Sequence, residues 1–253
     1  MIIRYLLIEI IFLVFTQNIF AQSPISIDQT ISKIYNLDFE KVPSALANIG
    51  KANPAMASYL RIDYLWWKMV SNNSAANESE FLEFLNSFRQ RRSGLDTDFE
   101  RLTYFVYQIR YDNFKKQSFS RYITAFKFHF FLGNMDGKKA EKFNSLEKSI
   151  FQMTLEFDNY IKYKYLNNYG ISSERNLKQY LLCLQNIEKM HNEHYHSFET
   201  IKTYLLGKIY LEIENNYLKA FGKFDSLSTD FPGNTIFKTI RENCRVQMVM
   251  NSK

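Results

Sequence analysis

The densest set of possible metal ligands in this sequence lies in one short segment. His191, His194 and His196 fall within six residues, with Glu193 among them, and they are three of the four histidines in the chain. Imidazole nitrogens bind zinc and copper, so the segment is a candidate metal site. The spacing does not place three rings on one helical face, and Tyr195 and Glu193 also suit a polar turn. We expect the turn, with no bound cofactor, and keep the metal site as an alternative.

Two adjacent tryptophans, Trp66 and Trp67, are the second candidate for ligand contact. Neighbouring residues on a helix point about 100° apart, so one ring can pack in the core while the other faces a groove. An exposed ring would offer a glycan, a peptide or a small molecule a flat platform. Core packing of both rings is the expectation, and a ligand platform is the alternative.

Sequence signatures of common enzyme classes are missing from the chain. The sequence contains no glycine-rich phosphate loop, no Gly-x-Ser-x-Gly elbow and no His-Glu-x-x-His motif. Its carboxylates are scattered along polar helix faces, where solvated ion pairs are the ordinary arrangement. We therefore expect a non-catalytic protein and assign no catalytic residue.

The elements that must position these residues are helices. Apolar residues recur at spacings of three and four along the whole chain, and alternation with period two is nearly absent. Glycine (8) and proline (4) are scarce, which disfavours frequent strands and tight turns. The sequence therefore predicts an all-α fold of about nine or ten helices.

Four boundaries of these helices can be predicted from local signals. Asp28 is a candidate N-cap of the first helix, and Pro54 suits the first turn of another. The polar stretch 71–77 is predicted to be a linker. The region 98–132 is predicted to divide near residues 115–118, because its apolar stripe lapses there and resumes at Phe119, Tyr122, Phe126 and Phe130.

A repeat-like pattern lies near the C-terminus and comprises Leu206, Gly207, Tyr210, Ala220, Phe224, Leu227 and Pro232. These residue types and spacings resemble a tetratricopeptide (TPR) repeat, with one extra residue between the two helices. The resemblance implies helix–turn–helix units stacked into a right-handed α-solenoid. It also implies a groove, lined by the first helices of successive units, that receives a partner helix or extended peptide.

Two further segments align with the second helix of this unit. The aligned sets are Phe39, Phe119 and Tyr217; Val42, Tyr122 and Ala220; Leu46, Phe126 and Phe224; Ile49, His129 and Leu227; and Pro54, Asn134 and Pro232. A second helix needs such residues where it packs on the first, so each segment is expected to bury them. The middle segment matches less well at its end.

The first 21 residues resemble a secretory signal peptide. Arg4 supplies a positive charge, an apolar run follows over residues 5–15, and Ala21 offers a cleavage point. The alternative is a permanent membrane anchor, although the run is short for a bilayer span. Cleavage would leave residues 22–253 as a single exported helical domain, in the periplasm or secreted.

The Ala21-Gln22 junction, the stretch 36–39 and the Trp66-Trp67 pair together resemble secreted or periplasmic TPR-like proteins of Bacteroidetes-type bacteria. This resemblance supplies no activity. It implies a bacterial cell-envelope location. No stretch after residue 21 is apolar enough to cross a membrane, so no transmembrane segment is expected after signal cleavage.

The net charge of +6 is compatible with an anionic partner. Basic and acidic residues are interspersed, and the basic cluster at residues 89–92 suits the end of a helix, so nucleic acid is not the expected partner. Cys183 and Cys244 could pair in an oxidising compartment or remain as buried free thiols.

These observations lead to one functional expectation and two alternatives. We expect a non-catalytic protein–protein interaction or scaffold protein of the cell envelope, whose partner is another envelope protein or peptide. The alternatives are a glycan or small-molecule binding protein that uses Trp66 or Trp67, and a metal-binding protein that uses His191, His194 and His196.

Overall fold

The fold was analysed in a computed structural model that describes residues 26–90, 96–135, 140–168 and 174–251. The predicted signal peptide, residues 1–21, and residues 91–92 of the basic cluster lie outside these ranges. Within the described residues the chain is helical and contains no strand, which confirms the all-α prediction. The helices are α1 Ile27–Tyr35, α2 Val42–Ala52, α3 Pro54–Ser71, α4 Ala75–Gln90, α5 Asp96–Phe114, α6 Ser118–Gly133, α7 Ser145–Asn168, α8 Glu174–Lys189, α9 Ser197–Glu212, α10 Tyr217–Asp230 and α11 Thr235–Met250.

The described part of the chain thus has eleven helices, slightly more than the nine or ten expected. A turn that divides one helical stretch into two separate helices raises the number of helices by one. The predicted turn between α5 and α6 is confirmed: Lys116 adopts a φ of 56°, and the Gln117 N–H donates to the Asp112 carbonyl at 2.8 Å. None of the described helices is long and apolar enough to cross a bilayer.

Two of the predicted helix boundaries are wrong. Ser26 caps α1 in place of Asp28, because its hydroxyl accepts the Gln29 N–H at 3.1 Å and the Gln29 side chain accepts the Ser26 N–H at 3.0 Å. The linker predicted over 71–77 shrinks to residues 72–74, because the Ser74 hydroxyl accepts the Asn77 N–H at 3.2 Å and starts α4 early. Pro54 begins α3 as predicted, with Asn53 as its N-cap.

Helix packing follows chain order for most of the molecule. The most extensive contacts join consecutive helices: α2 with α3, α5 with α6, α7 with α8, α9 with α10, and α10 with α11. This is the pattern expected of stacked helix–turn–helix units, in which each unit buries its apolar face on a neighbour. The fold is therefore consistent with a helical-repeat solenoid.

The two ends of the described chain also meet. The Asp28 carboxylate, freed from capping α1, accepts the Ser197 N–H at 3.0 Å at the start of α9. The Asn234 side chain donates to the Tyr35 carbonyl at 2.8 Å, and the Gly233 N–H donates to Asn36 Oδ1 at 2.7 Å. Helix α1 therefore packs onto the C-terminal helices, and the buried residues of all these helices form one hydrophobic cluster.

Both cysteines are free thiols inside this core. Cys183 in α8 and Cys244 in α11 are buried, and neither forms a disulfide. Burial, with a smaller effect from Glu156, raises the pKa of the Cys183 thiol to about 11. Burial also raises the pKa of Cys244. Both side chains therefore pack as small apolar groups.

Candidate functional site

Trp66 and Trp67 are both buried in the core, as the sequence predicted. Their exposed fractions are 6% and 1%. The ring of Trp66 packs edge to face on Phe81, with a centroid distance of 5.7 Å, and the ring of Trp67 packs on Tyr35 and Phe237, both at 5.3 Å. Burial removes the open ring face that a glycan platform requires, so neither tryptophan offers such a platform.

His191, His194 and His196 lie in the segment that joins α8 to α9. His191 Nε2 is 4.0 Å from Glu193 Oε1, and both side chains are largely exposed. Among the described residues, no group of three or more His, Cys, Asp or Glu side chains is arranged to hold a metal ion. The metal alternative therefore has no support from the geometry.

Asn192 explains why this segment is a polar turn. Its side-chain oxygen accepts the N–H groups of His194 and Tyr195, both at 2.9 Å. Its side-chain nitrogen donates to the Ser145 carbonyl at 3.0 Å and to the Ser149 hydroxyl at 2.8 Å. Asn192 therefore shapes the turn and fastens it to the start of α7.

The residues of the repeat-like pattern pack where α9 crosses α10. Its buried members are Leu206, Gly207, Tyr210, Ala220, Phe224 and Leu227, whereas Pro232 is exposed in the turn before α11. Gly207 permits this crossing, because a Cβ atom there would lie 2.9 Å from Cε2 of the Phe224 ring. The spacing identified in the sequence thus describes a real helix–helix contact.

We expect Gly207→Ala to destabilise the protein, whereas Gly222→Ala, in the neighbouring helix α10, should stabilise it. Overpacking against the buried Phe224 ring costs about 1–3 kcal/mol, which the helix propensity of alanine offsets by about 1 kcal/mol. A Cβ atom at Gly222 meets nothing within 4 Å, so only the propensity gain remains. Urea denaturation should separate the two variants by about 1–3 kcal/mol. Equal stabilities would contradict the tight crossing.

A polar centre lies inside the aromatic core, around Asp63 of α3. The Tyr107 hydroxyl donates to Asp63 Oδ1 at 2.6 Å, and Arg110 Nη1 is 3.6 Å from the same oxygen. The Arg110 guanidinium also lies over the rings of Trp66 at 4.6 Å and Tyr204 at 5.4 Å. One ion pair and its aromatic surroundings thereby connect α3, α5 and α9.

The pKa directions of this centre follow from its burial. Burial raises the pKa of Asp63, opposed chiefly by Arg110 and by the hydrogen bond from Tyr107. Burial also raises the pKa of Tyr35, Tyr59 and Tyr107, with Asp63 adding to each rise. The tyrosine hydroxyls therefore stay protonated, and that of Tyr107 donates its hydrogen bond to Asp63.

Helix α6 carries the most prominent apolar surface of the described chain. Its outward residues, here called the α6 aromatic face, are Phe119 (79% exposed), Tyr122 (55%), Ile123 (40%), Phe126 (65%) and Phe130 (54%). No other described helix exposes more than three large hydrophobic residues. Positions three, four, seven and eleven residues apart share one side of a helix, so these side chains form a continuous ridge.

The opposite side of α6 holds the helix in place. Thr124, Phe128 and Leu132 are its buried residues, and the Phe128 ring packs on Phe105 of α5 with a centroid distance of 5.4 Å. The buried carboxylate of Asp112 accepts hydrogen bonds from Ser120, at 2.9 Å, and from Thr124, at 3.3 Å.

A second contact secures one flank of α6. His129 Nδ1 is 2.7 Å from Asp158 Oδ2 of α7. Together with the packing on α5, this contact fixes the rotation of α6 about its axis. The aromatic face is therefore held outward by the same bonds that anchor the helix.

The size of the α6 aromatic face suits a protein contact. Four rings, each with about 200 Å² of surface and exposed by 54–79%, present on the order of 500 Å². The largest apolar patch of a typical monomer is about 300–600 Å², and such patches are often functional. A standard interface buries about 800 Å² on each partner, so this face would form most of the apolar centre of one.

The outward orientation of this face differs from the expectation. Phe119, Tyr122 and Phe126 were expected to be buried, as their aligned counterparts Val42, Leu46, Ala220 and Phe224 are, but the structure turns them outward. The available signal was that α6 is apolar on two sides, since Phe128 and Leu132 form a second stripe. A helix that is apolar all round requires a second apolar neighbour.

Comparison of the chain with protein-family models, curated proteins and solved structures finds no significant match.

Proposed function

We propose that this chain is a non-catalytic protein–protein interaction protein and that the α6 aromatic face is the surface on which its partner docks. The observation that carries the proposal is the ridge of four aromatic rings, 54–79% exposed, on a helix whose other side is firmly anchored. Aromatic residues dominate the energetics of protein interfaces. The partner contact thus lies on one helix, whereas the TPR resemblance implies a groove lined by several.

We propose that this contact forms in the cell envelope. The N-terminal pattern of Arg4, an apolar run and Ala21 supports export, and the TPR-like spacing around Gly207 and Phe224 supports a binding role. The partner is then another envelope protein or peptide.

Site-specific photo-crosslinking in the native host tests this proposal. We expect benzoylphenylalanine at position 126 to capture a defined protein, and the same group at Leu218 to capture none. Leu218 is a matched control, because it is 70% exposed on α10 and lies outside the α6 aromatic face. The product at position 126 should also disappear when Phe119 and Phe130 are replaced by aspartate.

Two outcomes would contradict the proposal. The first is the absence of a crosslinked protein at position 126, and the second is the same products at positions 126 and 218. Circular dichroism of each purified variant checks that the overall helix content is kept, as expected because Phe119 and Phe130 are more than half exposed.

A further inference from the structure

Resting on the proposed function, we infer that the occupant of the α6 aromatic face is an amphipathic helix of another protein, with carboxylates beside its apolar stripe. The inference goes beyond the existence of a partner to the chemistry of the segment that binds. It rests on the spacing of the exposed rings and on the charges around them.

The spacing of the face matches a helical occupant. Phe119 and Phe126 are seven residues apart, as are Ile123 and Phe130. A seven-residue repeat keeps the same side of a helix facing a partner helix that crosses at about 20°. Helix α6 has 16 residues, which corresponds to a length of about 24 Å, so its ridge can contact three to four turns of such an occupant.

The charges around the face require a negative partner. Residues 113–135 include four Lys or Arg and no Asp or Glu. Of these cations Lys115 is paired with Glu78, at 2.7 Å, whereas Lys116 and Lys127 form no ion pair with any described residue. Among the described residues, Arg121 forms no ion pair: it donates to the Asn113 side chain at 2.6 Å, and its guanidinium lies 5.5 Å from the centroid of the Tyr122 ring.

Two carboxylates on the helices that pack against α6 have partners within the protein. Asp112 accepts hydrogen bonds from Ser120 and Thr124, and Asp158 pairs with His129. Within the described residues, neither of them forms an ion pair with Lys116 or Lys127 beside the rings. An occupant with Glu or Asp next to its apolar residues would neutralise these two lysines.

The same charges argue against two other occupants. A second copy of this chain would place the cations of two α6 helices together, which destabilises a dimer. An anionic membrane surface is typically recognised by clusters of about four to eight Lys or Arg, more than the unpaired cations present here.

The test uses two synthetic peptides with the same three apolar heptads, one flanked by glutamate and the other by lysine. Fluorescence anisotropy with the folded chain should show the glutamate peptide binding roughly three- to tenfold more tightly at about 0.05 M salt. The difference should shrink at about 0.5 M salt, where screening is stronger.

Two substitutions and their controls connect this preference to α6. Lys116→Glu with Lys127→Glu should remove or reverse the preference, whereas Lys238→Glu, at an exposed site on α11, should not. Phe126→Asp should abolish the binding of both peptides, and Leu218→Asp should not change it. Unchanged melting curves show that each variant is folded.

The possible outcomes distinguish this inference from the proposed function. Equal binding of both peptides, or binding that Phe126→Asp does not reduce, overturns the inference. So do dimerisation through α6 in sedimentation velocity and binding to anionic phospholipid vesicles without peptide binding. If neither peptide binds while the crosslink at position 126 persists, the acidic helix is wrong and the proposed function stands. Loss of that crosslink removes the proposed function itself.

Discussion

Replacing Arg110 with methionine is expected to lower the free energy of unfolding by about 3–5 kcal/mol. Arg110 is the cation of the polar centre, 3.6 Å from the buried carboxylate of Asp63. Methionine keeps most of the packing on Trp66 and Tyr204 but leaves Asp63 buried without its counter-charge. An uncompensated buried charge is among the largest single destabilising effects in proteins.

The loss should grow as the pH rises. Burial already raises the pKa of Asp63 above its usual value of 3.8, and removing Arg110 takes away the largest opposing effect. Between the unfolded and folded pKa values the folded state binds more protons than the unfolded state. Stability therefore falls as the pH increases through that window, and the penalty is smallest below the unfolded pKa.

Urea denaturation of both proteins between about pH 4 and pH 8 measures this dependence. The double variant Asp63→Asn with Arg110→Met should recover part of the loss and flatten its pH dependence. Arg245→Met is the matched control, since the Arg245 side chain is 67% exposed, and should change stability by no more than about 0.5 kcal/mol. A loss below about 1 kcal/mol at every pH would show that Arg110 does not hold Asp63.

The second large effect is expected for Phe237→Ala, which should lower the free energy of unfolding by about 3–5 kcal/mol. Phe237 of α11 is fully buried, and its ring lies 5.3–6.4 Å from five aromatic rings of α1, α3, α9, α10 and the turn before α11: Tyr35, Trp67, Tyr204, Phe224 and Phe231. Truncation leaves a cavity where the two ends of the described chain meet.

Hydrogen exchange measures both the size of this effect and where in the fold it acts. The backbone amides of α1 should lose protection in Phe237→Ala, because the core that holds α1 against α11 is weakened. Phe126→Ala provides the matched control: the same truncation at a ring that is 65% exposed should change stability by no more than about 0.5 kcal/mol. Unchanged stability and α1 protection in Phe237→Ala would mean that the two ends do not pack as described.

Local features of the structure follow closely from the sequence. The all-α fold, the start of α3 at Pro54, the turn near Lys116 and the crossing of α9 with α10 at Gly207 were all predictable. Each depends on residues within one helix, one turn or two consecutive helices. Propensity, capping and apolar spacing act over that same distance, so the sequence contains the relevant information.

The errors at helix ends have a different cause. Asp28 is a good N-cap by residue type, but Ser26 takes that position with Gln29, and Asp28 bonds Ser197 in a distant part of the chain. The long-range contact and the local cap compete for one carboxylate. Residue type alone cannot show which contact a side chain makes.

The sequence by itself determined that the protein is helical, that α3 begins at Pro54 and that a turn separates α5 from α6 near Lys116. Only the tertiary structure decided that α6 buries Phe128 and Leu132 and exposes Phe119, Phe126 and Phe130, because both stripes satisfy the helical period equally. Asp112 and Phe105 of the neighbouring helix α5 fix that orientation. Asp112 accepts a hydrogen bond from Thr124, and Phe105 packs on Phe128, so the side of α6 that carries Phe128 faces the core. The pairing of Asp63 with Arg110 could not be predicted from the sequence either, because contacts between distant residues depend on how the helices pack.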